Sequence, residues 1–274
     1  MKRQELSRPF LKWAGGKRRL LKDLQTYLPS LSKDRTYFEP FLGGGALFFH
    51  LLPKRAKLFD INEELINCYR LVRDRCSQVG TIIREHRRQH CREYYYAVRE
   101  SLPLDDIERA ARFIYLNRTC FNGLYRVNSK GEFNVPIGRY KDPLKQVESL
   151  IHSASQSLQG VELQVCTYEK VLDHAEQDDF VYFDPPYQPV SQTSSFTSYS
   201  KEKFDKEDQR RLSEVFKDLD SRGVKLMLSN SDHPLIREIY DPLCKRMIPL
   251  RVGRTINSKT SRRGAVGELL ILNY

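Results

Sequence analysis

The sequence predicts an α/β protein whose mostly parallel sheet is covered by helices on both faces. Short apolar runs alternate with helical patterns along the chain, a glycine turn follows the first run, and an acidic residue ends the second. Strands that alternate with helices form right-handed βαβ units, and a glycine turn after the first strand is typical of a Rossmann-like sheet. The 274 residues suffice for one large domain or two modest ones.

The apolar runs that read as strands lie at residues 35–40, 57–59, 161–166, 180–183, 224–229 and 268–273. The helical patterns between them lie at 44–52, 62–75, 107–117 and 201–222. Residues 66–145 interrupt this alternation, because they are mostly helical and basic and end in a run rich in Gly, Asn and Pro. We therefore expect residues 1–65 and 146–274 to form one domain, with 66–145 as an inserted, mainly helical subdomain that carries a hairpin.

The net charge of +11 is concentrated in two stretches of the chain. Residues 1–35 hold 10 Lys and Arg against 3 Asp and Glu, and residues 66–145 hold 16 against 9. Fixed cations release counterions from phosphate groups, so this distribution favours a polyanionic partner such as a nucleic acid. A solvated basic face is the alternative that charge alone leaves open.

Other features exclude several classes of protein. No apolar run approaches the roughly 18 residues that span a bilayer, and the N-terminus lacks the apolar stretch of a secretory signal. The six cysteines include no Cys-x-x-Cys pair, which favours reduced thiols in the cytoplasm over a disulfide scaffold or a zinc ribbon. We expect no metal site, because His86, His90 and Cys91 have no further ligands at a convincing spacing.

The first strand runs into a glycine turn and then an apolar helix. Gly43 and Gly45 allow the backbone to approach a ligand closely, since no Cβ atom intervenes. Asp60 ends the next strand, where a carboxylate can accept both hydroxyls of a ribose. The pattern indicates a nucleoside cofactor without specifying it, and glycines that only turn the chain are the alternative.

The strand at 180–183 runs directly into Asp184-Pro185-Pro186-Tyr187. Ligands bind at the carboxyl edge of an open α/β sheet, and prolines there remove amide donors and leave carbonyls free. The Asp184 carboxylate and the Pro185 carbonyl could hold both hydrogens of an exocyclic amine, which frees its lone pair to attack an electrophilic methyl group. Tyr187 could stack on an extruded base. A rigid turn is the alternative for this tetrapeptide.

In combination and in order, these motifs resemble those of the Dam family of DNA adenine N6-methyltransferases, the D12 class. The resemblance covers about residues 8–273 and is carried by Pro9–Lys17, the Phe-Leu-Gly-Gly-Gly turn at 41–45, Asp60-Ile61-Asn62 and Asp184-Pro185-Pro186-Tyr187. It implies transfer of a methyl group from S-adenosyl-L-methionine to adenine N6 of a flipped-out base in double-stranded DNA. It also implies that 66–145 recognises the target, and that neither a metal nor a membrane is required.

The resemblance also implies roles for individual residues. The cofactor would contact Trp13, Lys17, Phe41, Gly43, Gly45, Asp60 and Asp184. The catalytic residues would be Asp184, Pro185 and Tyr187. The DNA would contact Asn122, Leu124, Arg126, Pro136, Arg139 and Tyr140, with Phe196 as a second stacking face for the base.

The run at 122–140 mixes hydrogen-bond donors, apolar wedges and glycines, which suits a hairpin that enters a DNA groove. Arg126 could contact O6 and N7 of a guanine, and Tyr140 could fill the gap left by an extruded base. The alternative is that Arg126 and Arg139 contact only phosphates. Because the run is similar to the hairpin of family members that modify the adenine of GATC, we take GATC as the working sequence.

Several alternatives stay open. The adenine could lie in another DNA sequence or in RNA, because base flipping and basic grooves serve both polymers. A non-catalytic DNA-binding module could retain the cofactor fold, although the presence of Asp184 argues against it. Cytosine C5 methylation is unsupported, since the chain has no Pro-Cys dipeptide. Membership of a restriction–modification pair and the oligomeric state are not determined, with a monomer as the working expectation.

Overall fold

A computed structural model describes residues 7–30, 32–187, 204–253 and 265–274. Within these ranges one sheet contains the strands Tyr37–Glu39 (β1), Ala56–Asp60 (β2), Glu162–Val165 (β3), Phe180–Phe183 (β4), Lys225–Ser231 (β5), Arg246–Gly253 (β6) and Ala265–Leu272 (β7). Their order is β3-β2-β1-β4-β5-β7-β6. Strands β1 to β5 pair in parallel, and β7 is antiparallel to both of its neighbours. The predicted mostly parallel sheet is confirmed.

The α-helices of the described residues are Leu21–Thr26 (α1), Ala46–Leu51 (α2), Glu63–Asp74 (α3), Cys76–Gln89 (α4), Arg92–Glu100 (α5), Asp106–Thr119 (α6), Val147–Ser157 (α7), Lys206–Ser221 (α8) and Pro234–Tyr240 (α9). Short 3-10 helices lie at Lys17–Arg19, Phe121–Gly123 and Tyr168–Asp173. None of the helices in the described ranges has both the length and the apolar character to cross a membrane.

The central strands are buried on both faces. Because successive side chains point to opposite sides of a strand, neighbouring residues pack into different hydrophobic clusters. Tyr37 and Phe180 belong to one hydrophobic cluster, and their chain neighbours Phe38 and Val181 belong to the other. Residues of α2, α3, α4, α6 and α7 join the first cluster, and residues of α8 and α9 join the second. The sheet therefore has helices on both faces, as predicted.

Helices α4, α5 and α6 continue the first hydrophobic cluster away from the sheet. Val79, Tyr95 and Ile114 belong to the same cluster as Tyr37 of β1. The segment between β2 and β3 is mainly helical, in agreement with the predicted insertion. Its division from the rest of the chain at residues 65 and 145 stays a prediction, and α3 crosses the first of these boundaries.

The sequence did not predict β6, α1, α7 or α9. Strand β6 contains Pro249 and charged residues, which obscure the apolar alternation of a strand, and it lies at an edge of the sheet where proline is tolerated. The expected helix at 201–222 is α8, which begins at Lys206, later than predicted, because Asp205 and Asp208 form a capping box there.

Asn273 fastens the end of the chain to the sheet. Its Oδ1 accepts a hydrogen bond from Leu226 N at 2.7 Å, and its Nδ2 donates to Asp220 Oδ1 at 2.7 Å and to the Val224 carbonyl at 2.8 Å. The residue is 5% exposed, so these groups have little access to water. The contacts join β5, α8 and the C-terminus.

The substitution Asn273→Ala is expected to lower the free energy of unfolding by about 2–3 kcal/mol, because it leaves buried backbone groups without a partner. Urea denaturation measures the change. The control Gln89→Ala, at an exposed position of α4, should change stability by less than about 0.5 kcal/mol. Equal stability of the two variants would contradict this role of Asn273.

Candidate active site

A cavity of about 430 Å³ opens at the carboxyl ends of β1, β2 and β4. The glycine turn after β1, the acidic end of β2 and the tetrapeptide after β4 form much of its wall. This is the edge at which open α/β sheets bind ligands. The structure brings together every residue predicted to bind the cofactor or to act in catalysis: Trp13, Lys17, Phe41, Gly43, Gly45, Asp60, Asp184, Pro185 and Tyr187.

The glycine turn requires glycine for two separate reasons. Gly43 and Gly45 have φ angles of +46° and +62°, in the left-handed region that other residues rarely adopt. A Cβ atom on Gly43 would also lie 2.7 Å from Cδ1 of Trp13. The indole therefore packs directly on the backbone of the turn, and together they form one wall of the cavity.

Two backbone amides fix the Asp60 carboxylate. Oδ2 accepts a hydrogen bond from Gly43 N at 3.0 Å, and Oδ1 accepts one from Asn62 N at 3.0 Å. Burial raises the pKa of Asp60, and these hydrogen bonds oppose the rise. Because each carboxylate oxygen can accept more than one hydrogen bond, Asp60 is held in a fixed orientation with acceptor capacity left for a ligand.

Asp184 forms an ion pair with the buried Lys17 side chain that the sequence did not predict. Lys17 Nζ lies 2.5 Å from Asp184 Oδ1 and also donates to the Gly15 carbonyl at 2.9 Å. Burial raises the pKa of Asp184, and the Lys17 ammonium opposes the rise. Asp184 Oδ2 accepts no hydrogen bond from a described residue, so one oxygen of this cavity-lining carboxylate is available to a ligand.

Glu39 is a further acid of the cavity wall, and sequence reasoning did not select it. It is 3% exposed, and its Oε2 accepts hydrogen bonds from the Tyr37 hydroxyl at 2.7 Å and from Phe48 N at 3.1 Å. Burial raises the pKa of Glu39 to about 8. The sequence feature that could have identified Glu39 is its position as a charged residue at the end of an apolar strand, directly before Pro40.

Trp13 connects the cavity to the loop between α6 and α7. Its indole stacks on Tyr125 at 5.7 Å between ring centroids and on Phe113 at 6.4 Å. Tyr125 also contacts the ring of Phe133 at 5.8 Å. An aromatic chain thus extends from the cavity wall into the segment predicted to read DNA.

The predicted DNA-binding residues lie outside the cavity, on the hairpin loop (residues 120–140). Antiparallel bridges pair Cys120 with Ile137 and Val127 with Phe133, which confirms the expected hairpin. The loop carries Asn122, Leu124, Arg126, Pro136, Arg139 and Tyr140. Phe196 lies outside the described residues.

Side chains in and near the hairpin loop make contacts within the protein. Arg126 is exposed, and its Nε donates to Asn134 Oδ1 at 2.7 Å. Tyr140 is 39% exposed, and Lys12 Nζ lies 3.7 Å from its ring centroid. Burial, with a smaller contribution from nearby Arg118, lowers the pKa of Lys12 to about 8.

The histidine pair of α4 and its C-cap serves the helical packing. Nδ1 of His86 lies 2.8 Å from the Tyr94 hydroxyl, and Nδ1 of His90 lies 2.9 Å from the Tyr115 hydroxyl. Burial lowers the pKa of His86 to about 4. Across the ranges that the structure describes, no group of three or more His, Cys, Asp or Glu side chains is arranged to hold a metal ion.

The strand order, the glycine turn and the acidic end of β2 define a Rossmann-like α/β methyltransferase fold. The sequence matches the D12 class N6 adenine-specific DNA methyltransferases over residues 13–252, and the chain belongs to that family. The enzyme is therefore an adenine-specific DNA methyltransferase, and the resemblance to the D12 class inferred from the motifs is confirmed.

Curated relatives match along nearly the whole chain. The type II methyltransferase M1.LlaDCHI of Lactococcus lactis subsp. cremoris is 47% identical, over 97% of this chain and 95% of the relative. The type II methyltransferase M.MjaIII of Methanocaldococcus jannaschii is 42% identical, over 97% of this chain and 99% of the relative. The DNA adenine methylase of Escherichia coli strain K12 is 39% identical, over 97% of this chain and 95% of the relative.

The substitution Glu39→Gln is expected to flatten the pH dependence of stability. The pKa of Glu39 is about 8 in the folded protein against an ordinary value of 4.5. The protonated acid therefore stabilises the fold fully below pH 4.5, and this contribution is lost as the pH rises to 8. Within that window the free energy of unfolding of the wild type should fall by about 1.4 kcal/mol for each unit of pH.

Urea denaturation at several pH values across this window measures the slope of unfolding free energy against pH. The control Glu100→Gln, at an exposed position, should keep the slope of the wild type. If Glu39→Gln also keeps that slope, Glu39 does not carry the raised pKa.

Proposed function

We propose that the enzyme transfers the methyl group of S-adenosyl-L-methionine to adenine N6 of a flipped-out base within GATC in double-stranded DNA. The observation that carries the proposal is that Asp60 and Asp184, 124 residues apart in sequence, line one cavity. The first suits a ribose and the second suits an exocyclic amine. Membership of an adenine-specific methyltransferase family supports both assignments.

The cavity suits a nucleoside cofactor in size and in its donor set. Its volume of about 430 Å³ falls within the range of small-molecule sites. The glycine turn lets the backbone approach the cofactor, Asp60 offers fixed acceptor oxygens to the ribose hydroxyls, and Trp13 provides an aromatic wall. Phe41, Lys17 and Asp184 would complete the site. The bound cofactor supplies the methyl group in an activated, electrophilic form.

Asp184 and Pro185 would make the amine nucleophilic. The amine of adenine has a lone pair delocalised into the ring, which makes it a poor nucleophile. Hydrogen bonds from its two N–H groups to Asp184 Oδ2 and to the Pro185 carbonyl would draw the nitrogen towards a tetrahedral geometry. Until the amine binds, Lys17 contacts the other oxygen of Asp184 and favours the ionised form of the acid. Tyr187 would stack on the base.

The hairpin loop would recognise the DNA. Arg126 is exposed, and its contact with Asn134 limits the orientations of the guanidinium while leaving other donors for guanine O6 and N7. Asn122, Leu124, Pro136 and Tyr140 would contact base edges or fill the gap of the extruded base, and Arg139 would contact phosphate. The similarity of residues 122–140 to hairpins that read GATC supports this target.

The substitution Asp184→Ala is expected to reduce methyl transfer by at least about 100-fold, since the amine loses a charged acceptor in the transition state. DNA affinity should change little, because Asp184 is not one of the cations that hold phosphates. Transfer is measured as the incorporation of label from the cofactor into plasmid DNA. Cleavage by endonucleases that differ in sensitivity to adenine methylation at GATC shows whether the methyl group is at that sequence.

Asp173→Ala is the matched control, because Asp173 is an exposed acid paired with Lys170. It should transfer methyl groups at the wild-type rate. Near-normal transfer by folded Asp184→Ala would refute the assigned role, and absence of label from DNA with the wild type would refute the proposed function.

The substitution Arg126→Ala is expected to relax specificity at one guanine position, with a loss of discrimination of about 1–3 kcal/mol. Arg139→Ala is the comparison, and it should weaken binding about equally on all sequences. Competition binding with duplexes that differ from GATC at single positions measures both effects. A uniform loss of affinity in Arg126→Ala would show a phosphate contact instead.

A further inference from the structure

The Lys17 ammonium lies between two carboxylates at unequal distances. Nζ is 2.5 Å from Asp184 Oδ1 and 3.7 Å from Glu268 Oε1. Glu268 belongs to β7 and is 7% exposed, yet its Oε1 makes no hydrogen bond within the described part of the chain. Buried polar atoms nearly always have a partner, so an oxygen left open beside a buried cation requires an explanation.

We propose that Glu268 is a positioning residue for methyl transfer, which receives the Lys17 ammonium when Asp184 engages the target amine. This inference rests on the proposed function and assigns a role to a residue outside the motifs of the cofactor and the tetrapeptide. Glu268 touches neither reactant in this role, because it acts through Lys17.

The need for a second anion follows from the ion pair itself. While Lys17 holds Oδ1, the target amine competes with a full positive charge for the carboxylate of Asp184. A buried ammonium that leaves one carboxylate without reaching another is strongly disfavoured. Glu268 removes this obstacle, because a movement of Nζ by about 1 Å brings it within hydrogen-bond distance of Oε1. The flexible stem of lysine permits that movement.

The antiparallel course of β7 places Glu268 at the site. The parallel strands end at the cavity edge, whereas β7 runs in the opposite direction, so residues near its start lie at that same edge. Glu268 is in register with Ser231, the last residue of β5. The preceding Gly267 permits this approach, because a Cβ atom there would lie 2.8 Å from Cβ of Asp232.

The groups around Glu268 determine its pKa and its effect on the pKa of Asp184. Burial raises the pKa of Glu268 and nearby Asp184 adds to the rise, whereas Lys17 and, to a smaller extent, Tyr187 oppose it. Tyr187, whose hydroxyl is buried near Glu268, and Tyr182 also face this cluster. Removal of the Glu268 charge should lower the pKa of Asp184, because a neighbouring negative charge favours its protonated form.

The test compares Glu268→Gln with the wild type in single-turnover methyl transfer to GATC-containing duplex DNA. We expect the rate to fall roughly tenfold and its acidic limb to move to lower pH. Cofactor affinity, followed by the fluorescence of Trp13, the single tryptophan, and DNA affinity should each stay within about twofold. An unchanged rate and pH profile would overturn the proposal. Should Glu268→Gln fail to fold, Glu268→Leu, which also removes the carboxylate, replaces it, and an unchanged rate has the same meaning.

A second comparison separates this role from a merely structural one. In a Lys17→Met background, Glu268→Gln should reduce the rate by less than about twofold further, because the residue acts through the ammonium that is already absent. A full additional tenfold loss would overturn the proposal. Inactive wild-type enzyme would instead refute the proposed function, so the two failures are distinguishable.

Discussion

The contact between Lys17 and Asp184 organises the site more than any other single interaction. It joins the N-terminal segment to the end of β4, across 167 positions of sequence, at a distance of 2.5 Å. Removal of Asp184 would be costly, because the buried Lys17 ammonium would be left as an uncompensated charge. The same contact orients one oxygen of Asp184 and leaves the other without a hydrogen bond from a described residue. One pair of side chains therefore both links distant segments and orients the acid that lines the cavity.

The segment from Lys12 to Lys17 contacts three parts of the structure: the region of the hairpin loop, the glycine turn and the tetrapeptide at 184–187. Lys12 exchanges backbone hydrogen bonds with the Asn117 side chain, at 2.8 and 2.6 Å, beside the hairpin loop. Trp13 packs on the glycine turn and stacks on Tyr125 of that loop. Lys17 reaches the tetrapeptide. The cavity and the hairpin loop predicted to read DNA therefore share a wall at Trp13.

Local sequence patterns predicted those parts of the site that directly follow a single strand. The glycine turn, Asp60 and Asp184 each follow a recognisable strand, and the carboxyl ends of parallel strands necessarily meet at one edge. Long-range features could not be predicted in this way. The ion pair of Lys17, the proximity of Glu268 and the edge strand β6 depend on pairings between distant segments, and Glu39 becomes notable only once its burial is known.

The most direct test of this account is a crystal structure of the enzyme with a non-reactive cofactor analogue and a duplex containing GATC. We expect the target adenine to lie outside the helix, with N6 within hydrogen-bond distance of Asp184 and of the Pro185 carbonyl. A base that remains stacked in the duplex, or an Asp184 side chain that points away from the cavity in this complex, would contradict the account.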